Sequence, residues 1–252
     1  LGLHNYHDAL RSFPPGSIRY AAPGVGKRVP FARFILDYIE QSARSELYDD
    51  NNAWHTQAAA NRVKIFAYLP VWHCPSDQSY PMSNEGFGDY KGNYGLNWGQ
   101  YTYGDQDKRS PFFFEYGARF ADIVDGTSNT LAMLEMRQAP PGTAADFSDR
   151  DQRGRIWNED PPCYQISTRV TPNSTARDQG ISTTCVHRPE EGLPCTTVGS
   201  KNDASMASRS RHPGGVQALL CDGSVRFVSE TIDLAIWKAA SSQEGRETEM
   251  LP

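Results

Sequence analysis

The stretch SRHPGGVQALLCDGSVRFVS, residues 210–229, decides the fold. Two apolar runs, 216–221 and 224–229, flank Asp222-Gly223. Asp-Gly between such runs is the strongest short-range signal of a β-hairpin, and a type I′ turn with positive φ at both central residues is the expected connection. Just downstream, Ile232, Ala235, Ile236, Ala239 and Ala240 share one face of a helix. The spacing therefore predicts a hairpin under a terminal helix over residues 210–240. His212, ahead of Pro-Gly214-Gly215, is expected to fix the loop that leads into the hairpin. His212, Gly214, Gly215, Asp222 and Gly223 are accordingly read as a structural motif.

Working outward, the chain has 252 residues with 21 Gly and 17 Pro, and 38% of it is hydrophobic. Its mean hydropathy is −0.61. The Tyr, Phe and Trp counts are 12, 11 and 5. This is the composition of a loop-rich globular protein with aromatic packing rather than a disordered chain. A net charge of −5 and the lack of any Lys/Arg stripe argue against a nucleic-acid partner. No stretch approaches the roughly 20 apolar residues that span a bilayer, and no signal peptide is visible. The opening, Leu1 to Leu10, has no initiator Met and no N-cap, and is expected to be the end of a longer helix.

Five cysteines are present, with no Cys-x-x-Cys pair. They read either as buried or free thiols or as one or two disulfides in an oxidising compartment. Cys163, Cys185 and Cys195 are the disulfide candidates, because they lie in a Pro-, Thr- and Ser-rich stretch that has little core of its own.

Leu3, Tyr6, His7 and Leu10 mark one helical face, ended by Phe13-Pro14-Pro15-Gly16. Residues 21–28 read as a Gly/Pro loop. Phe31, Phe34, Ile35, Tyr38 and Ile39 predict an amphipathic helix after Pro30 that ends near Leu47. A second helix is expected over 61–68, and an extended run over 71–73. Residues 91–99 alternate Gly or Asn with apolar residues and predict an edge strand. Asp125–Asn129 predicts a turn and Thr130–Met136 a buried strand. Residues 138–208 form an irregular insertion, too long to be one structureless loop.

Several sites are weighed against plainer readings. His4-x-x-His7 lacks the Glu of a zincin, and Cys74 with His73 and Asp77 is poorly spaced for a metal. Asp122, Asp125, Asn129 and Glu135 offer hard oxygens that would suit Ca²⁺, although Asp125–Asn129 is equally an Asx turn. No Gly-x-Ser-x-Gly elbow occurs. His212 could serve as a general base with Asp222 as its orienter, but the turn already explains Asp222 without it. Gly24-Val-Gly26-Lys27-Arg28 resembles a phosphate loop only loosely, so no organic cofactor is expected. The aromatics between Tyr90 and Tyr116 serve either core packing or a ligand or assembly surface. Asn173-Ser-Thr175 is a formal glycosylation sequon.

Read together, HNYHD (4–8), FPPG (13–16), YIEQ (38–41), CPSD (74–77), NYG (93–95), DGTSNT (125–130) and His212-x9-Asp222-Gly223 resemble the DUF1559 (SBP_bac_10) family, which is abundant in planctomycetes. The resemblance implies a prepilin-type leader and a long apolar helix upstream. It also implies an α+β, type IV pilin- or pseudopilin-like head with its N-terminal helix on an antiparallel sheet. A single head over residues 1–252 follows, with residues 1–12 as the end of the long helix. The implied function is a non-catalytic subunit of a filament, pseudopilus or surface assembly. Such a subunit would sit in the inner membrane before assembly and at the cell surface or outside the cell after it. Its contacts would be with copies of itself, through the N-terminal helix and head contacts. The alternative is a membrane-anchored surface module that binds a glycan or another solute. Both readings rest on fold-level analogy.

Overall fold

Six strands, all contributed by residues 94–229, pair into one mixed sheet. They are β1 (Tyr94–Asn97), β2 (Leu131–Glu135), β3 (Gln165–Ser167), β4 (Met206–Ala207), β5 (Gly215–Leu220) and β6 (Val225–Ser229), in the spatial order β4-β3-β1-β2-β5-β6. The computed structural model describes residues 1–19, 27–80, 88–105, 110–142, 150–181, 184–245 and 251. Residues 24–26 of the loosely phosphate-loop-like stretch, and most of the 21–28 loop, lie outside them.

The hairpin forms where expected: β5 and β6 pair antiparallel, with Val216 opposite Val228 and Leu219 opposite Val225. Its turn is not type I′. Gly223 N–H donates to the Leu220 carbonyl (3.0 Å) and Leu220 N–H to the Ser224 carbonyl (2.9 Å). Gly223 has φ of 89°, while Asp222 is not among the positive-φ residues. The connection is thus a three-residue loop closed by a left-handed glycine. Asp222 instead accepts from Ser224 N–H (2.9 Å) and Oγ (2.6 Å).

The sheet is α+β in setting but not purely antiparallel. β4 pairs parallel to β3, and β3 parallel to β1, while β1-β2-β5-β6 is antiparallel throughout. Residues 138–208 are therefore not only a decoration, because two of their short strands extend the sheet. β1 is also an interior strand rather than an edge, lying between β2 and β3. Gly95 makes this possible: a Cβ there would run into the Tyr164 carbonyl and come within 2.9 Å of Ile166 Cδ1.

α1 (Gly2–Leu10) buries Leu3 and His7 and ends at Arg11, whose φ is 65°. Its first turn lies on the sheet face that carries Tyr94, Met133 and Leu219. The helix expected over 31–47 is broken into a turn at Phe31–Phe34, a 3₁₀ turn at Leu36–Ile39 and a turn at Ser42–Ser45. Glu40 is left-handed (φ 61°) and folds the chain back. Ser45 Oγ then donates to Asp37 (2.7 Å) and accepts from Arg33 Nη1 (2.8 Å). Tertiary packing of Phe31, Ala32 and Leu36, all fully buried, overrides the helical period here. The second helix, α2, is Ala59–Ile65, and residues 70–72 form a 3₁₀ turn started by Pro70 rather than an extended run.

α3 (Leu234–Ala239) covers the opposite sheet face. It is capped by Asp233, which accepts from Ala235 N–H (2.7 Å). Asn97 fixes the segment after α3 by donating to the carbonyls of Leu131 (2.8 Å) and Ser241 (2.9 Å). Trp237 is buried, with its indole N–H on the Val170 carbonyl (3.1 Å). Among the described residues, no helix is long and apolar enough to cross a membrane.

The irregular insertion sends Trp157, Tyr164 and Ile166 into the main core and is further tied by buried ion pairs and a disulfide. Arg153 lies bidentate on Asp151 and reaches Asp178, which also holds Arg209. Lys91, buried alongside, donates to the carbonyls of Ala139 (2.9 Å) and Asp151 (2.5 Å). Of the disulfide candidates, Cys185 and Cys195 are bonded. Cys163 is not part of that bond, and its buried thiol points at Gln152 Oε1, 3.5 Å away.

Candidate functional site

The motif residues that lie far apart in sequence meet at two places. The first is the turn after Trp72. Cys74 opens it, and the Asp77 N–H closes it on the Cys74 carbonyl (3.1 Å). Asn93, just before β1, clamps this turn. Its Oδ1 accepts from Cys74 N–H (3.1 Å), and its amide donates to Asp77 Oδ2 (2.7 Å) and the Met136 carbonyl (3.0 Å). Asp77 also accepts from Gln138 N–H (3.0 Å) and Arg211 Nε (2.8 Å). Asp77 and Asn93 are thus used up holding the backbone, which leaves the Cys74 side chain free to face β2.

What it faces is Glu135, the last residue of β2, and His212. His212 Nε2 stands 3.0 Å from Glu135 Oε1 and 3.5 Å from Cys74 Sγ. The second Glu135 oxygen accepts from Gln217 N–H of β5 (2.7 Å). The His212 loop is set by Ser210. Its hydroxyl accepts from His212 N–H (3.0 Å) and donates to the Gly215 carbonyl (2.7 Å). Gly214 supplies a φ of 82° in the same loop. Tyr94 of β1 completes the wall. Burial first, and then the neighbouring Cys74 and Glu135 groups, push the pKa of its hydroxyl up to about 12. Cys74 and Glu135 are buried, and His212 is partly open to solvent.

The second meeting place is the tip of the hairpin. His4 Nε2 donates to the Cys221 carbonyl (2.9 Å), and the His4 ring lies against Gly223, where a Cβ would come within 2.6 Å of it. Asp222 N–H donates to the Thr127 carbonyl (3.0 Å), and Cys221 N–H to that of Thr130 (2.8 Å). The His-Asn-Tyr-His-Asp, Asp-Gly-Thr-Ser-Asn-Thr and Asp-Gly motifs therefore form one joint.

Residues 1–235 match the family described as SBP_bac_10, protein of unknown function (DUF1559). The chain belongs to this family. Neither the curated proteins nor the solved structures hold a match to it.

In this DUF1559 chain the residues proposed from sequence for Ca²⁺ are engaged separately. Asp122 pairs with Arg119 (2.6 Å), and Asp125 accepts from Gly245 N–H (2.7 Å) and Ser242 Oγ (3.0 Å). Asn129 donates to the Asp125 carbonyl (3.1 Å), and Glu135 turns to His212 at the far end of β2. His212 and Asp222 sit at opposite ends of β5, so they do not share a cleft. His7 does not join His4 on a ligand: its Nε2 accepts from Phe120 N–H (3.2 Å) and its ring stacks on Phe120. Burial, ahead of its charged neighbours, lowers the His7 pKa. The Asn173 side chain is likewise occupied, holding Ser210 N–H (2.9 Å) and the Gly215 carbonyl (3.2 Å).

Much of the aromatic stretch turns inward. Trp98 stacks on Tyr103 (5.5 Å) and meets Phe113 and Phe114, with the Arg19 guanidinium 4.8 Å above Phe114. The grouping of Cys74, Glu135 and His212 was not legible from spacing. The only sequence signal was that Cys74 and His212 fall in separate family-like motifs.

Proposed function

We propose that the chain is the head of a pilin-like structural subunit, non-catalytic, that assembles into a filament, pseudopilus or surface layer. In this reading it is held at the inner membrane before assembly and lies at the cell surface afterwards. What supports the reading best is an uncovered apolar face beside α1. Leu1, Leu3, Ile39, Val71, Met133 and Leu219 line a shallow groove there. The apolar face continues onto the hairpin, because Val225 lies opposite Leu219 on the same side of the sheet. Val225 and Phe227 are 61% and 50% exposed. Exposed apolar residues in a continuous strip, rather than scattered singly, mark interaction surfaces. A helix on a sheet with such a strip suits head-to-tail contacts that do not close.

Electron microscopy of the protein from its source tests this, together with sedimentation of the chain as concentration rises. Repeating filaments or sheets, and self-association lost in V225D/F227D, are the expected results. Discrete particles, with sedimentation identical for both proteins and independent of concentration, would refute it.

A second reading, a surface module for a glycan or solute, has one observation in its favour. A cleft of about 590 Å³ is lined by Tyr116, Arg119, Asp122, Gln243 and Glu244, one ring among convergent polar groups. A glycan and small-solute screen with Tyr116→Ala as control decides it.

A further inference from the structure

We propose that Cys74, Glu135 and His212 form a Zn²⁺ site. The three donor atoms, Sγ, a carboxylate oxygen and Nε2, all lie within 4.8 Å of one another. With Zn–S near 2.3 Å and Zn–N or Zn–O near 2.0–2.1 Å, a tetrahedral ion needs an S···N edge of about 3.5 Å and an N···O edge of about 3.3 Å. The observed edges are 3.5 Å and 3.0 Å. Two of the three edges therefore already lie near the tetrahedral values, the sulfur–carboxylate edge falls within 4.8 Å, and a fourth position is left toward the solvent that reaches His212.

The same geometry speaks against a thiol nucleophile. In a Cys-His-carboxylate triad the carboxylate holds one ring nitrogen while the other takes the thiol proton. Here Cys74 and Glu135 both face Nε2. Three donor atoms gathered within 4.8 Å, with the thiol and the carboxylate both against a single nitrogen, is the arrangement of a ligand set. The donor chemistry selects zinc over calcium, because a thiolate is a soft ligand and a hard ion prefers oxygen alone.

The supporting contacts are those of a metal site as well. Gln217 N–H orients the non-ligating Glu135 oxygen, Asn93 fixes the Cys74 backbone, and Ser210 fixes that of His212. Binding would displace the Cys74 thiol proton to solvent and engage the neutral His212 ring through Nε2, with its single ring proton on Nδ1. The ion would tie three segments, the 74–77 turn, β2 and the loop before β5, which are 138 residues apart at their widest.

The test uses the whole chain, stripped with a chelator and titrated with Zn²⁺ against a chromophoric competitor, and separately with Co²⁺. One ion per chain is expected, with a thiolate-to-cobalt charge-transfer band. C74S should abolish that band. H212Q should weaken Zn²⁺ binding by more than about 100-fold, beyond what loss of a supporting contact produces. H73Q, whose ring faces Gln138 and Ser79 instead, should change neither. If C74S fails to fold, the band in the unaltered chain still reports whether a thiolate binds. Failure to compete for one ion per chain, a cobalt spectrum without the thiolate band, or Zn²⁺ affinity unchanged in H212Q would each overturn the proposal.

Discussion

Replacing Arg153 with Met tests how far the buried ion pairs hold the irregular insertion. The guanidinium is fully buried and makes six hydrogen bonds: to Asp151 Oδ1 (3.0 Å) and Oδ2 (2.6 Å), to Asp178 Oδ2 (2.9 Å), and to the carbonyls of Val186 (2.8 Å), Leu193 (3.2 Å) and Pro194 (3.4 Å). Methionine keeps only the apolar stem of the side chain, lacks the guanidinium and so removes every one of these bonds. Asp178 retains Arg209, but Asp151 keeps only backbone donors and the nearby Lys91 charge. Breaking a buried pair by removing one partner costs about 3–5 kcal/mol. At about 2–4 °C per kcal/mol for a chain of this size, Tm should fall by roughly 10 °C.

The pH dependence separates charge from packing. In the native protein burial by itself would raise the Asp151 carboxyl, but Arg153 and Lys91 hold it below its ordinary value. That stability is present above the unfolded carboxyl pKa, about 3.9, and is lost as pH falls through the folded value. In R153M the sign inverts. With only the backbone donors and Lys91 left to oppose burial, the carboxylate's folded pKa rises above the unfolded one, so its cost is greatest at neutral pH and falls as the group protonates. Urea unfolding followed by circular dichroism at pH 7 and near pH 4 should show the deficit narrowing on acidification. A deficit under about 1 kcal/mol at pH 7, or one equal at both pH values, would refute the argument.

Gly223→Ala combines a φ of 89° with a Cβ 2.6 Å from the His4 ring, and should cost about 1–3 kcal/mol. H4A in the same background should recover the steric part but not the backbone part, which a double-mutant cycle in denaturant resolves. Removing the Cys185–Cys195 bond, which closes a short loop with a sequence separation of 10, should cost about 2–3 kcal/mol. Reductant should then lower the unfolding midpoint of the native chain and leave that of C185S/C195S unchanged. Asp233→Ala should cost about 1 kcal/mol through loss of the cap on α3, measured by thermal unfolding.

Local chemistry settles a definite share of this protein. The hairpin at 215–229, the strand at 131–135 and the helix at 2–10 each carry a period and a boundary signal that no tertiary contact reverses. The ordered motifs were enough to place the chain in its family. Long-range packing decided the rest. It broke the 31–47 helix at Glu40, because burying Phe31 and Leu36 while joining Arg33 and Asp37 to Ser45 outweighed continued helical period. It made β1 an interior strand, because Gly95 admits the Tyr164 carbonyl. It chose Cys195 over Cys163 as the partner of Cys185. It also moved Glu135 from an imagined oxygen cluster to His212 and Cys74. Propensity and turn chemistry act over a few residues, so they can be read along the chain. Sheet order, disulfide pairing and a side-chain cluster drawn from positions 74, 135 and 212 depend on which distant segments exclude water together, and only the folded structure states that.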